Sequence, residues 1–216
     1  MNNYEAKGFR FLPAKLIVVT LELFDRFSRL IVRFNIHPNW ISLAGLVSGI
    51  LVGLFYATNH LLLALIFLAL CGMLDILDGK VAANGNKKTI FGAVFDSSLD
   101  RYSEFAVYLG LGFYYKNHWI LWVLALTFLG STMVSYTRAR AEGLGLECRV
   151  GIMQRAERVV VLLLGNLIGL VFHCFDQAML VSIIFIGLGS HITAIQRLVY
   201  VYNYERKSKK ISAKTD

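Results

Sequence analysis

The sequence predicts an all-α integral membrane protein, with six transmembrane helices preceded by an interfacial amphipathic helix. Three observations lead there. Apolar residues make up 56% of the 216-residue chain and charged residues only 17%, a lower charge content than soluble domains of this length carry. The apolar residues gather into long runs, each close to the ~20 residues that a bilayer core requires. The basic residues collect in alternate connections between those runs, on one side of a membrane.

The first element runs from Pro13 to Phe34. Leu16, Leu23, Phe24, Phe27, Leu30 and Ile31 recur at helical spacing, while Lys15, Arg26, Arg29 and Arg33 break up the run. Four basic residues oppose a membrane span and favour a helix lying in the interface. The first 38 residues lack the continuous apolar core and small-residue cleavage site of a signal peptide. Six spans follow, expected over Asn39–Ala57, Leu61–Ala82, Gly92–Tyr115, Trp119–Ala141, Glu157–Phe172 and Ala178–Tyr202. Gly45, Gly49 and Gly53 put small residues on one face of the first span, which suits close packing either within the chain or in a dimer.

Charge orients the bundle. Of the 22 Lys and Arg, only Lys116 falls in the connections Thr58–His60, Lys116–His118 and His173–Gln177. The remaining connections and both termini are therefore cytoplasmic, the membrane being expected as a bacterial inner membrane. The same asymmetry accounts for the net charge of +8 without a nucleic-acid partner. The chain thus divides into an interfacial segment (1–38), a six-helix domain (39–203) and a basic tail (204–216), whose charge favours anionic lipids.

Cys71, Cys148 and Cys174 show no metal or redox spacing. His37, His60, His118, His173 and His191 show no ligand pairing, and both sets read as structural. The informative stretch is Asp75 to Asp100. Asp75 and Asp78 are three apart at the cytoplasmic end of the second span, and Asp96 and Asp100 are four apart, one turn into the third. Both spacings put two carboxylates on one helix face. A hairpin of the nine residues 83–91 faces the pairs toward each other. Four carboxylates there repel one another and need compensation. Their hard oxygen atoms suit two Mg²⁺ ions, with Mn²⁺ as a substitute. Two such ions can clamp a pyrophosphate. Gly79, Ala82 and Gly92 lie on the same faces and leave room for a ligand to approach the backbone.

This stretch resembles the signature D-x2-D-G-x2-A-R-x8-G-x3-D-x3-D of the CDP-alcohol phosphotransferases. Asp75, Asp78, Gly79, Ala82, Gly92, Asp96 and Asp100 stand at its positions, and Ala83 replaces its Arg. The Pro38-Asn39-Trp40-Ile41-Ser42 helix start and the helix pattern extend the resemblance over most of the chain. It implies that a CDP-linked lipid, CDP-diacylglycerol, gives its phosphatidyl group to an alcohol with release of CMP. It implies metal binding by Asp75, Asp78, Asp96 and Asp100, with Asp100 as the base that takes the acceptor's proton. It also sets Asp78, Gly79, Ala82 and Gly92 against the donor, and implies a homodimer. With Ala83 in the motif, Lys80, Lys87 or Lys88 supplies the replacement charge on the donor phosphates.

A second polar cluster spans Arg138 to Arg158. Arg138 ends the fourth span, Arg155 and Arg158 begin the fifth, and Arg197 lies inside the sixth. Arg within a span faces the bundle or a wet cavity, and forked guanidinium groups suit phosphate. Arg138, Arg158 and Arg197, with Arg155, are thus expected to hold the phosphate of the acceptor, a shared anion being what gathers them. Arg140 and Arg149 read as topological charges. Within the family, the R-x-R-A-E and R-x-E-R segments look most like phosphatidylinositol-phosphate synthases, which implies inositol phosphate as acceptor, with glycerol-3-phosphate the alternative. A transporter is disfavoured by the lack of internal repeats, and retention of all four carboxylates argues against an inactive scaffold.

Overall fold

A computed structural model describes the backbone of residues 14–215 and the side chains of residues 22–207. Every regular element among them is a helix: α1 (Ala14–Arg33), α2 (Pro38–Ala57), α3 (Leu61–Asn84), α4 (Ile90–Tyr114), α5 (Ile120–Gly143), α6 (Arg155–Val171) and α7 (Phe175–Thr215). The expected spans correspond to α2 through α7 and the interfacial segment to α1. The side chains of Pro13, Lys15 and Leu16, and those of the tail beyond Lys207, lie outside the described residues.

Helix boundaries follow from local chemistry. Pro38 sits at the start of α2, where its missing N–H costs nothing, and the His37 ring accepts a hydrogen bond from the Asn39 amide at 3.3 Å. Thr89 caps α4 by accepting from the Gly92 amide at 2.9 Å. Asn86 turns the α3–α4 connection with a φ of +53°, a conformation that Asn tolerates better than most residues. Before α6, the Gln154 amide donates to the Glu157 carboxylate at 3.2 Å, the reciprocal arm of a capping box.

Four helices, α2, α3, α5 and α7, are long and apolar enough to cross a membrane. The expectation of six spans is met only in part on that criterion. α4 has the length, 25 residues, but carries Asp96, Asp100, Arg101 and Glu104 between its second turn and just past its middle, and α6 has only 17 residues. The expected hairpin of nine residues is also shorter, because α3 continues to Asn84 and Thr89 starts α4 early. Asp96 consequently lies nearly two turns into α4. The last helix runs past the expected end at Tyr202 to Thr215. Glu205, Arg206 and Lys207 are good helix formers, and no Gly or Pro interrupts them.

The helices form two groups. α2 packs on α3 and α4, α5 packs on α7, and α6 joins the groups by touching α7 and α3. The core between them holds Val52, Tyr56, Leu68, Leu111, Leu124 and Ile183, all at most 3% exposed. The glycine face of α2 is used within the chain. Gly49 lies against Ser103, and Gly53 against Ala106 and Gly110, so closely that a Cβ at any of the three glycines would overlap its neighbour. This crossing presses α4 against α2.

Candidate active site

The α3–α4 hairpin brings together carboxylate oxygens of Asp75, Asp96 and Asp100, all within 4.8 Å of one another. Asp78, one turn after Asp75, is only 4% exposed and lies within reach of the Asp96 carboxyl. The Asp78 Oδ2 accepts a hydrogen bond from the Ser42 hydroxyl, at 2.7 Å. Ser42 belongs to the first turns of α2, so three helices fix the two acidic pairs. Sequence reasoning placed Ser42 at a helix start without assigning it this contact. Three hard oxygen donors at this spacing suit a divalent cation better than a soft metal.

Asp78 and Asp96 open onto a cavity of about 260 Å³. Gly79, Ala82, Gly92, Lys87 and Lys88 line it too, as does Asn39 from α2. No atom lies within 4 Å of where a Cβ on Gly79 would sit, so the cavity reaches the α3 backbone there. Of the three lysines expected to replace the motif Arg, Lys87 and Lys88 reach this cavity. Lys80 is not among its lining residues and instead acts on Asp25 in α1. Lys87 is held in place by Asn35, its ammonium donating to the side-chain oxygen at 2.6 Å and the carbonyl at 3.2 Å.

α1 is tied to this end of the hairpin by Asn84, whose amide donates to Asp25 at 2.8 Å and to Ser28 at 2.7 Å. The Asn84 hydrogen bond holds the Asp25 carboxyl below the usual carboxylate range, with Arg29 and Lys80 adding to the effect.

The arginines are arranged differently from the expectation. Arg138 and Arg158 lie near enough to Arg197 for their charges to act on it, so the clustering holds. A shared anion is not required to gather them, however, because protein groups satisfy each one. Arg158, 2% exposed, makes a forked pair with Glu104, at 2.8 Å from Nε and 3.2 Å from Nη2. Arg197 donates to the carbonyls of Val150, at 2.9 Å, and Val134. Arg138 pairs with Glu142 at 2.8 Å. Arg155 pairs with Asp75 at 2.8 Å and with Asp100. Glu104, like Ser42, has a contact here that the sequence did not reveal. The available signal was its place one turn after Asp100 on the same face of α4, beside Arg101, which approaches it at 3.5 Å. Arg149 pairs with Glu147 at an exposed position, as a topological charge would.

A membrane-crossing helical bundle with an acidic cluster beside a glycine-floored, lysine-rimmed cavity is an arrangement suited to a transferase of phosphorylated groups. The model of the CDP-alcohol phosphatidyltransferase family matches residues 35–195, and the chain belongs to that family. It is 37% identical over 171 residues to the archaetidylinositol phosphate synthase of Methanothermobacter thermautotrophicus, covering 79% of this chain and 85% of that protein. It is 32% identical over 189 residues to the phosphatidylinositol phosphate synthase of Streptomyces avermitilis, covering 81% and 76%. Among solved structures, the phosphatidylinositol phosphate synthase of Mycobacterium tuberculosis with CDP-DAG bound superposes with a TM-score of 0.75 at 27% identity, covering 84% of this chain and 94% of that one. The same enzyme in complex with manganese and citrate gives a TM-score of 0.74 at 27% identity, covering 83% and 88%.

Proposed function

We propose that this transferase moves a lipid phosphatidyl group from CDP-diacylglycerol to a hydroxyl of inositol phosphate, with Mg²⁺, and releases CMP. The observation that carries the reading is the meeting of the Asp75–Asp96–Asp100 cluster with the cavity floored by Gly79 and Ala82. Inositol phosphate as acceptor is supported by the relatives, since the two named above are synthases of inositol phosphate lipids that differ in their lipid part. Glycerol-3-phosphate is the alternative acceptor.

In this reading Asp75, Asp78, Asp96 and Asp100 hold two divalent ions. Bound there, the ions neutralise the carboxylates and draw charge from the pyrophosphate oxygens. Gly79, Ala82 and Gly92 let the donor lie against the backbone, and Lys87 and Lys88 supply the positive charge that Ala83 does not. Asp100 takes the proton from the acceptor hydroxyl. The hydroxyl oxygen then bonds to the lipid-linked phosphorus as the bond to the CMP oxygen breaks, and CMP leaves with the electron pair. Arg138, Arg155, Arg158 and Arg197 surround the acceptor phosphate, and Glu104 holds Arg158 in place.

All six helices after α1 cross the membrane in this reading. Both termini and the site are cytoplasmic, α1 lies in the interface, and two copies form a homodimer. The experiment that tests the function is CMP release by detergent-purified protein given CDP-diacylglycerol and a panel of inositol phosphate, glycerol-3-phosphate, free inositol and serine. Inositol phosphate should be preferred. Preference for free inositol or serine would remove the phosphate-binding role of the arginines.

A further inference from the structure

Arg155 is placed where a cation is needed. Its Nη1 reaches Asp75 Oδ1 at 2.8 Å and also Asp100 Oδ2. Both carboxylates belong to the group whose oxygens lie within 4.8 Å of one another. The side chain is 19% exposed and its partners 32% and 17%, so one guanidinium arm reaches into a mostly enclosed acidic pocket. A divalent ion in the cluster would draw on those same two carboxylates. A guanidinium seated on both of them stands in its way, and the like charges of the two repel strongly at such separations.

The backbone at Arg155 is secured independently of this contact. Gln154 and Glu157 cap the helix start, and Arg158 pins the first turn of α6 to Glu104. The long Arg155 side chain can therefore leave the cluster while α6 stays where it is. On leaving, it enters surroundings that already hold Arg158, and Arg158 is itself committed to Glu104. An additional, uncommitted guanidinium there attracts an anion.

We propose that Arg155 and the divalent ion compete for Asp75 and Asp100, so that ion binding turns Arg155 out of the carboxylates and hands it to the phosphate of the acceptor. Arg155 is thus the internal counter-ion of the carboxylate cluster before the ion binds and a binding residue for the acceptor phosphate afterwards. The order of events follows: the cation binds first, and the phosphorylated acceptor gains its extra contact only afterwards. This inference rests on the metal-site reading above.

The test measures two affinities on detergent-purified protein, without turnover. Mn²⁺ binding is followed by the paramagnetic resonance signal of the free ion, and inorganic phosphate binding is then titrated at saturating Mn²⁺. Arg155→Gln should bind Mn²⁺ about tenfold more tightly than wild type and phosphate about tenfold more weakly. A merely structural Arg155 would weaken both, because its loss would loosen the cluster. Arg155→Lys keeps a charge but offers no fork. It should fall between the two proteins for Mn²⁺, and it serves the same comparison if the Gln variant does not fold. Mn²⁺ affinity that is unchanged or weaker in these variants overturns the competition, and unchanged phosphate affinity overturns the hand-over. Asp75→Asn separates this inference from its foundation. If that variant binds Mn²⁺ like wild type, the metal-site reading fails and takes the inference with it. If it loses Mn²⁺ while Arg155→Gln gains none, only the competition is wrong.

Discussion

Asp96 is the carboxylate common to both parts of the site, since it joins the group with Asp75 and Asp100 and also lines the cavity beside Asp78. Replacing it by Asn keeps the shape and removes the charge that would hold an ion. Asp96→Asn should therefore abolish turnover and Mn²⁺ binding together, as measured by CMP release and by titration of the ion. Asp100→Asn should lower the rate by about 10²–10⁴-fold if it is the general base, and single-turnover kinetics at saturating donor would show this. The pair of Glu104 with Arg158 makes a different prediction. Glu104→Ala would leave a guanidinium buried without its partner, a change that costs roughly 3–5 kcal/mol. It should show as a large fall in melting temperature in detergent. The double variant Glu104→Leu with Arg158→Met should recover much of that stability, because an apolar pair of similar volume replaces a buried ion pair at little cost. It should still lose acceptor affinity, if Arg158 touches the acceptor phosphate. The four aspartates were legible from spacing alone, because i+3 and i+4 intervals fix a helix face. Glu104, Ser42 and Asn84 were not. Each acts across a tertiary contact, with Arg158, Asp78 and Asp25 respectively, and no local period encodes such a partner.

At the scale of the elements, the α2–α4 crossing is the one to perturb. Gly110 faces the backbone of Gly53, and no side chain fits between them. Gly110→Val should destabilise the protein by at least about 1–3 kcal/mol through overpacking, with thermal unfolding in detergent as the measurement. The glycine stripe was visible in the sequence, but whether it faced another copy or another helix was not, since small residues serve both contacts equally well. The clip between α1 and α3 gives a pH-dependent prediction. The Asp25 carboxyl is held below its ordinary range by Asn84, so the clip is at full strength above the unfolded value and is lost as pH falls through the lowered folded one. Spin labels at Leu30 and Ala83 should accordingly report a broader distance distribution at a pH well below the ordinary aspartate value than near neutrality. An unchanged distribution would mean that the clip does not depend on the carboxylate. Helix ends were the least legible part. The α3–α4 turn shortened because Asn86 accepts a positive φ and Thr89 caps early, choices that hydropathy does not record.

For the whole molecule, hydropathy and charge asymmetry pull apart. Four helices pass as spans by apolarity, whereas the distribution of Lys and Arg implies six crossings. α4 resolves the conflict physically if its charged half lines the site and is shielded from lipid by α2 and α3. Single cysteines at Asn86 and Asn117, in a background lacking Cys71, Cys148 and Cys174, would decide it. With six crossings, a membrane-impermeant maleimide applied to intact cells should label the Asn117→Cys protein and leave the Asn86→Cys protein unreacted. Labelling of both would contradict the topology. The overall class of fold was legible because a bilayer imposes length and apolarity on every span. The pairing of α5 with α7 was not, because helices that are apolar all round give no sign of which face meets which neighbour.

The shortness of the α3–α4 connection also bears on how the protein is made. All four aspartates lie between residues 75 and 100, while their internal counter-charge, Arg155, comes 55 residues after Asp100. At translation rates of about 5–20 residues per second, that gap lasts roughly 3–11 s. During it, α2, α3 and α4 emerge with a cluster of negative charge and no arginine from α6 to quench it. A free divalent cation would then be a strong partner for it, so the ion proposed for the reaction would first act as an assembly factor for the growing chain. Ribosome-arrested chains ending in the α4–α5 connection should already protect the α2–α4 segment from protease, and Asp75→Asn with Asp96→Asn should relieve any dependence of that protection on the added cation.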